Sequence, residues 1–109
     1  MKYDVIIIGA GPGGIFSAYE LTKHNENLKI AIFEAGHSLE KRHCPIDGKK
    51  ITSCIHCKSC SIMSGFGGAG AFSDGKYNIT NDFGGTLYEY IGKEKAIKLM
   101  HYVDDINMA

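Results

Sequence analysis

The first third of the chain alternates two short apolar runs with one segment of helical periodicity. Residues 3–8 end in an uninterrupted run of valine and isoleucine, which is typical of a parallel strand buried on both faces. After a glycine cluster, residues 12–24 carry apolar positions at helical spacing, and Pro12 suits the first turn of a helix. Residues 28–34 form the second apolar run. This order predicts a βαβ unit.

The remainder of the chain is patterned less regularly. Residues 35–64 have no regular period and contain all four cysteines, and residues 65–75 are rich in glycine. Residues 84–109 have apolar positions at helical spacing, and Gly92 predicts a break between two helices there. Two parallel strands are too few for a stable doubly wound sheet. We therefore expect an incomplete α/β fold, the N-terminal piece of something larger.

Composition narrows the class of protein further. The 109 residues include twelve Lys plus Arg and twelve Asp plus Glu, and this zero net charge argues against non-specific binding to nucleic acid or to an anionic membrane. No apolar run approaches the ~20 residues that span a bilayer, and no secretory signal opens the chain. These features predict a cytoplasmic protein. In that reducing compartment, cysteines are more often redox groups or metal ligands than parts of structural disulfides.

The first glycine cluster has the spacing of a dinucleotide-binding turn. Gly9-Ala10-Gly11-Pro12-Gly13-Gly14 reads G-x-G-x-x-G between a predicted strand and a predicted helix, and Glu34 follows twenty residues later. In such a turn Gly9 permits the tight bend, Gly11 lets a pyrophosphate approach, and Gly14 lets helix and strand pack closely. The helix N-terminus attracts the phosphates.

The acidic residue indicates which dinucleotide would bind. A carboxylate at Glu34 accepts hydrogen bonds from ribose hydroxyls and repels a 2′-phosphate, which disfavours NADP. FAD and NAD share the motif, but a second glycine-rich segment follows at 65–75 and could wrap an extended flavin with main-chain N–H groups. The sequence therefore favours FAD, with an NAD-dependent dehydrogenase as the alternative.

The four cysteines allow several chemistries. Cys54, Cys57 and Cys60 are separated by two residues each, and Cys44 precedes a proline. This spacing resembles an iron–sulfur ligand run, and it also supplies the four ligands that zinc requires. A Cys-x-x-Cys dithiol that exchanges electrons with the flavin is a third interpretation, and four free cysteines are a fourth. A metal-binding module without a catalytic flavin is accordingly a second alternative function.

Taken together, these segments resemble a known group of proteins. The turn Gly9–Gly14, Glu34, the segment Lys41–Pro45, the close cysteines and the loop Gly65–Lys76 resemble a family of uncharacterised bacterial FAD-dependent dehydrogenases. More broadly, the chain is similar to the start of NAD(P)/FAD-dependent oxidoreductases with the glutathione-reductase-like flavoprotein fold. Family members are several-fold longer than this chain, so their substrate domain would lie elsewhere.

The resemblance implies a domain organisation and a set of cofactor contacts. Residues 1–109 would be the N-terminal portion of a Rossmann-like FAD-binding domain, with a βαβ unit at 1–36, a Cys/Gly-rich loop at 37–76 and helices at 84–109. The implied function is the FAD-binding portion of a flavin-dependent dehydrogenase with a small-molecule substrate and an electron donor or acceptor. No catalytic residue is implied. The implied cofactor contacts are Gly9, Gly11, Pro12, Gly13, Gly14, Glu34, Arg42, Gly67, Gly68, Ala69 and Gly70, and the metal ligands, if there is a metal, are Cys44, Cys54, Cys57 and Cys60.

Overall fold

The computed structural model describes all 109 residues and divides into two compact units, Met1–Ser73 and Asp74–Ala109. The first unit contains strand β1 (Val5–Ile8), helix α1 (Pro12–His24), strand β2 (Ile30–Phe33) and a single 3-10 turn at Leu39–Lys41. The second unit contains helices α2 (Leu87–Ile91) and α3 (Lys93–Met108). None of these helices is long and apolar enough to cross a membrane.

The predicted βαβ unit is present in the first unit. Strands β1 and β2 pair in parallel, with Val5 opposite Ile30 and Ile8 opposite Phe33. Both strands begin two residues later than the sequence pattern predicts. The residues before them are joined by polar contacts instead, since the Lys29 N–H donates to the Asp4 carboxylate at 2.8 Å. The fold is therefore compatible with part of a Rossmann-like domain.

Helix α1 has the predicted bounds because local signals define both of its ends. Pro12 occupies its first turn, where a missing N–H costs nothing, and Gly11 is its extended N-cap residue. At the other end the chain leaves helical geometry at Asn25, whose N–H still bonds to the Leu21 carbonyl at 2.9 Å. The predicted apolar face of α1 is covered only in part, because Tyr19 remains 45% exposed.

The helices of the second unit depart from the prediction at their start. The predicted break falls at Gly92, which has φ +85° and separates α2 from α3. The predicted helical stretch begins at residue 84, whereas α2 begins at Leu87. Gly84 and Gly85 both have positive φ, at +92° and +80°, and this left-handed backbone cannot belong to a right-handed helix.

The two-stranded sheet leaves apolar side chains in solvent. Ile6, Ile8 and Phe33 are 57%, 81% and 56% exposed, although their sequence pattern is that of strands buried on both faces. Ala10 and Ala96 are the only apolar residues that this chain buries completely. The strands thus have the sequence of interior strands, but each of them pairs with only one other strand within these 109 residues.

We expect residues 1–109 in isolation to unfold over a broad, non-cooperative transition, because two strands and two buried alanines supply little of the packing that makes unfolding all-or-none. Calorimetry and circular dichroism during heating measure this directly. A concentration series serves as the control, because chains that associate through exposed strand edges would show a midpoint that depends on concentration. A sharp transition of the monomer with equal calorimetric and van't Hoff enthalpies would contradict the expectation.

Candidate functional site

The glycines of the first cluster differ in what the fold itself requires of them. Gly9 has φ +97°, a left-handed conformation that favours glycine. A Cβ at Gly14 would overlap the carbonyl oxygen of Gly9, so close packing of helix and turn excludes any side chain there. At Gly11 a Cβ would have no neighbour nearer than the Gly68 Cα at 4.0 Å. The backbone conformation therefore favours glycine at position 9 and packing requires it at position 14, whereas neither reason applies at position 11.

The N-terminus of α1 offers donors to an anion beside Gly11. Its N-cap residue makes no side-chain capping bond, and its first turn contains no acidic residue. The first N–H groups of a helix have no partner within the helix, and the helix dipole places positive potential at this end. Open space at Gly11 and uncapped donors together form a surface that suits a phosphate group.

Glu34 connects the end of β2 to this turn. Its Oε2 accepts a hydrogen bond from the Ala10 N–H at 2.8 Å, and its Oε1 accepts one from the Gly36 N–H at 2.8 Å. These two N–H groups, with a smaller contribution from the positive charge of Arg42, lower the pKa of the Glu34 carboxyl. The Gly65 N–H makes a further, smaller contribution to this lowering, and the carboxylate oxygens keep acceptor capacity for a ligand.

The lowered pKa of Glu34 fixes the sign of its pH dependence. Because the folded-state pKa lies below the ordinary value of 4.5, the ionised carboxylate stabilises the folded chain above that pH. This contribution is lost as the pH falls through the folded-state pKa. At neutral pH the group is an anion, as hydrogen bonding to ribose hydroxyls requires.

The two glycine-rich segments, more than fifty residues apart in sequence, meet in the structure. The Gly67 N–H donates to the Ala10 carbonyl at 2.8 Å. Gly68, at φ +71°, lies so close to the first turn that a Cβ there would stand 3.1 Å from the Pro12 Cδ. Ala69 and Gly70 follow as exposed residues. The structure thus brings the predicted contact residues of both segments to one surface, and their contact with a cofactor stays a prediction.

Arg42 is a buried side chain that binds main-chain carbonyls in and just before the second glycine-rich segment. Its Nε donates to the Ser61 carbonyl at 2.8 Å, its Nη2 to the Ile62 carbonyl at 2.8 Å, and its Nη1 to the carbonyls of Phe66 and Gly68 at 2.9 and 2.7 Å. Only 5% of the residue is exposed, and its guanidinium lies 5.2 Å from the centre of the Phe72 ring.

The role of Arg42 in this geometry differs from the one that the resemblance implies. Four of its five N–H donors are occupied by main-chain carbonyls, so the contacts that the structure shows are with the protein's own loop. A direct contact between Arg42 and a cofactor stays a prediction. Sequence reasoning missed this role. The available signal was a lone arginine preceding a glycine-rich loop whose many carbonyls need donors.

Two of the cavities that adjoin this region are lined by Cys57 and Cys60. One, of about 870 Å³, is lined by Glu34, Gly36, Cys57, Cys60 and neighbouring residues, and we name it the Glu34 cavity. The other, of about 400 Å³, is lined by all four cysteines together with Pro45, Ile46, Ile55 and Ile62, and we name it the cysteine cavity. The structure therefore gathers the four cysteines around one space, as their spacing suggested.

The predicted metal site is not supported by this arrangement. All four cysteines, Cys44, Cys54, Cys57 and Cys60, are unpaired, and no group of three or more Cys, His, Asp or Glu side chains is positioned to hold a metal ion. The sulfurs instead engage the backbone of their own turns. The His56 N–H donates to the Cys54 Sγ at 3.4 Å, and the N–H groups of Ile62 and Met63 bond the Cys60 sulfur. This correction applies to both the iron–sulfur and the zinc interpretations.

The fold and this surface define a small α/β unit, built from β1, the glycine-rich turn, α1 and β2, that is compatible with part of a Rossmann-like domain. Residues 1–41 match the Thi4 family. The matched segment contains the whole βαβ unit and Glu34 and ends just before Arg42.

Curated relatives match parts of the chain. An uncharacterized protein of Clostridium beijerinckii is 34% identical over 76 residues, which are 70% of this chain and 14% of the relative. The thiamine thiazole synthase of Yarrowia lipolytica is 61% identical over 33 residues, 30% of this chain and 10% of the relative. A protein of Acanthamoeba polyphaga mimivirus, described as a truncated GMC-type inactive oxidoreductase, is 50% identical over 38 residues, 35% of this chain and 8% of the relative.

These matches support the coarser of the sequence predictions. Residues 1–41 are similar to the Thi4 family, and parts of the chain are similar to a thiamine thiazole synthase and to a protein of the GMC oxidoreductase type that is described as inactive, whereas the specific bacterial dehydrogenase family is not shown. This chain spans 14% or less of the length of each relative described above, so none of them defines the activity of the whole protein. No solved structure matches the chain.

Proposed function

We propose that this chain is the FAD-binding part of a flavin-dependent oxidoreductase, of the dehydrogenase type. The observation that carries the proposal is the open space at Gly11, beside the uncapped N-terminus of α1 and joined to Glu34 through Ala10. A bound flavin would supply the chemistry by taking a hydride from a small-molecule substrate. The residues of this chain would bind and orient it.

The groups present fit the ADP half of FAD. The N–H groups of the first turn of α1 would hold the pyrophosphate, and the absence of a side chain at Gly11 would allow it to approach. The remaining acceptor capacity of Glu34 would receive the ribose hydroxyls. The main-chain N–H groups of the first turn would thus bind the pyrophosphate, and Glu34 would bind the adjoining ribose of the same ligand.

The second glycine-rich segment favours FAD over NAD. Because Gly67 and Gly68 are packed onto the first turn, their segment extends the same main-chain surface beyond the pyrophosphate position. A flavin dinucleotide, with its long ribityl linker, would use such an extension. The resemblance to flavoproteins supports the same choice, and the Thi4 match covers the segment that carries Glu34.

The proposal includes a cytoplasmic location and small-molecule partners. Four unpaired cysteines suit a reducing compartment, and the balanced charge of the chain gives no long-range attraction to nucleic acid. The substrate and the electron donor or acceptor would bind to parts of the protein other than this surface.

Substitution of Glu34 by glutamine should weaken FAD binding by one to two decades, since the loss of a charge-assisted hydrogen bond typically costs ~1.5–3 kcal/mol. Binding of FMN, which lacks the adenosine ribose, should change much less. Titration of the apoprotein with each flavin, followed by fluorescence quenching, gives both affinities. Glu26→Gln is the matched control, because Glu26 is an exposed carboxylate beyond the end of α1.

Two results would count against the proposal. An equal loss for FAD and FMN would restrict Glu34 to its structural bonds with Ala10 and Gly36. Purified protein that binds NAD but neither contains nor takes up a flavin would favour the NAD-dependent alternative.

A further inference from the structure

Cys57 and Cys60 form the common wall of the two cavities. Both line the Glu34 cavity as well as the cysteine cavity, whereas Cys44 and Cys54 line only the latter. The chain bends at Lys58 and Ser59, between the two shared cysteines. Both of these cysteines are exposed. Of the six possible pairs among the four thiols, this is the pair whose two members both line the Glu34 cavity and the cysteine cavity.

The backbone between these two residues is bent and not extended. Fully extended, a chain advances at most ~3.6 Å per residue, which would separate the two Cα atoms by about 11 Å. A disulfide needs Cα atoms roughly 4.4–6.8 Å apart, so two consecutive bends are the feature that makes a Cys-x-x-Cys segment competent. No regular helix or strand occupies residues 54–60, so closing the bond would break no ladder of hydrogen bonds.

The two thiols differ in their surroundings. The N–H groups of Met63 and Ile62 bond the Cys60 sulfur, and with the positive charge of Arg42 they lower the pKa of that thiol. A hydrogen bond of 2.8 Å from the Ser64 N–H to the Cys60 carbonyl closes the turn that holds these donors in place. A larger thiolate fraction makes Cys60 the faster of the two as an attacking group.

The cysteine cavity has room for a small organic partner. Its volume of about 400 Å³ and its apolar side chains, among them Ile46, Ile55 and Ile62, suit an uncharged or weakly polar group attached to sulfur. The cavity is lined by the attacking thiol as well, so the two reacting sulfurs can meet inside it.

We propose that Cys57 and Cys60 are a redox-active dithiol pair that reduces a small disulfide bound in the cysteine cavity. The Cys60 thiolate attacks one sulfur of the external disulfide, forms a mixed disulfide and expels the first thiolate. The Cys57 thiolate then attacks the Cys60 sulfur, forms the Cys57–Cys60 disulfide and expels the second thiolate. Two electrons pass from the protein sulfurs to the external disulfide, and the two thiol protons go to the two released thiols. This activity is independent of the proposed flavin.

The test treats the reduced natural protein with one equivalent of dithiodipyridine, a small symmetric disulfide whose released thiopyridone is coloured. A dithiol pair releases both halves of each reagent molecule and retains none, so we expect two thiopyridones per reagent. Peptide mapping by mass spectrometry should then find the disulfide between Cys57 and Cys60. Release of one thiopyridone per reagent with a stable pyridyl adduct on the protein, or a disulfide mapped to another pair, would overturn the proposal.

Four single variants assign the roles. Cys57→Ser should stop after the first step, with one thiopyridone released and the adduct retained on Cys60. Cys60→Ser should slow the first release by about an order of magnitude, because the activated thiolate is lost. Thr52→Ala and Ser53→Ala are the controls, because both residues are exposed nearby and line neither cavity, and they should keep the rate and the two-thiopyridone yield of the natural protein. A Cys60→Ser variant that reacts at the natural rate would refute Cys60 as the attacking thiol.

Discussion

Replacing Gly11 with valine is expected to abolish FAD binding while the βαβ unit stays folded. The two branches of the valine side chain would occupy the open space at the N-terminus of α1, where a pyrophosphate has to approach the main chain. Within the protein, the nearest atom to a Cβ at this position is the Gly68 Cα at 4.0 Å, so the first carbon of the new side chain makes only an ordinary van der Waals contact in the absence of ligand. The expected loss of affinity is more than a hundredfold.

Two further substitutions make this experiment specific. Thr22→Val is the matched control for size and branching, because Thr22 is exposed near the opposite end of the same helix. Gly14→Val should destabilise the fold itself, since even a Cβ there would overlap the Gly9 carbonyl. Circular dichroism separates loss of folding from loss of binding, and flavin titration measures affinity. Near-natural FAD affinity in folded Gly11→Val protein would contradict both the expected result and the proposed site.

Replacing Arg42 with lysine should strongly destabilise the Met1–Ser73 unit. A lysine ammonium is a point charge with three donors and cannot match the planar fork that reaches four separate carbonyls. Each buried polar group left without its partner costs roughly 1–3 kcal/mol. Because the four carbonyls lie within one short segment and share one partner, we expect a total loss of about 3 kcal/mol or more.

Denaturant unfolding of the natural protein measures this loss, and Lys41→Ala is the neighbouring control because Lys41 is exposed. The same experiment distinguishes two roles for Arg42. Lower stability, with FAD affinity reduced only in proportion to unfolding, is the expected result for a residue that organises the loop. Unchanged stability together with weaker FAD binding would assign Arg42 to direct cofactor contact, as the family resemblance implies.

The sequence was most informative where structure depends on nearby residues. Helix α1 has the predicted bounds because Pro12 begins it and the chain departs from helical geometry at Asn25, and both signals are local. The joining of α2 and α3 at Gly92 was predictable for the same reason. Glu34 was identified by its distance from the glycine turn, which reflects the length of one βαβ repeat.

Features that depend on distant parts of the chain were not predictable. Arg42 reaches carbonyls 19 to 26 residues away, and no local pattern specifies which of them it will meet. The same applies to the packing of Gly68 against Pro12, which follows from the fold of the intervening loop. The cysteine spacing did predict a common location, but the engagement of Cys60 with the N–H groups of its own turn follows from backbone geometry that spacing does not reveal.

The double attachment of Glu34 constrains how this kind of site could evolve. The carboxylate that suits an unphosphorylated ribose is also the group that fixes the Ala10 and Gly36 amides. A descendant that exchanged this residue for a basic one, to accept a 2′-phosphate, would at once lose both of these hydrogen bonds, because a basic side chain has no acceptor for the two amides. A change of cofactor preference would therefore require a second, compensating acceptor for those amides, so a lineage would reach it through paired substitutions rather than a single step.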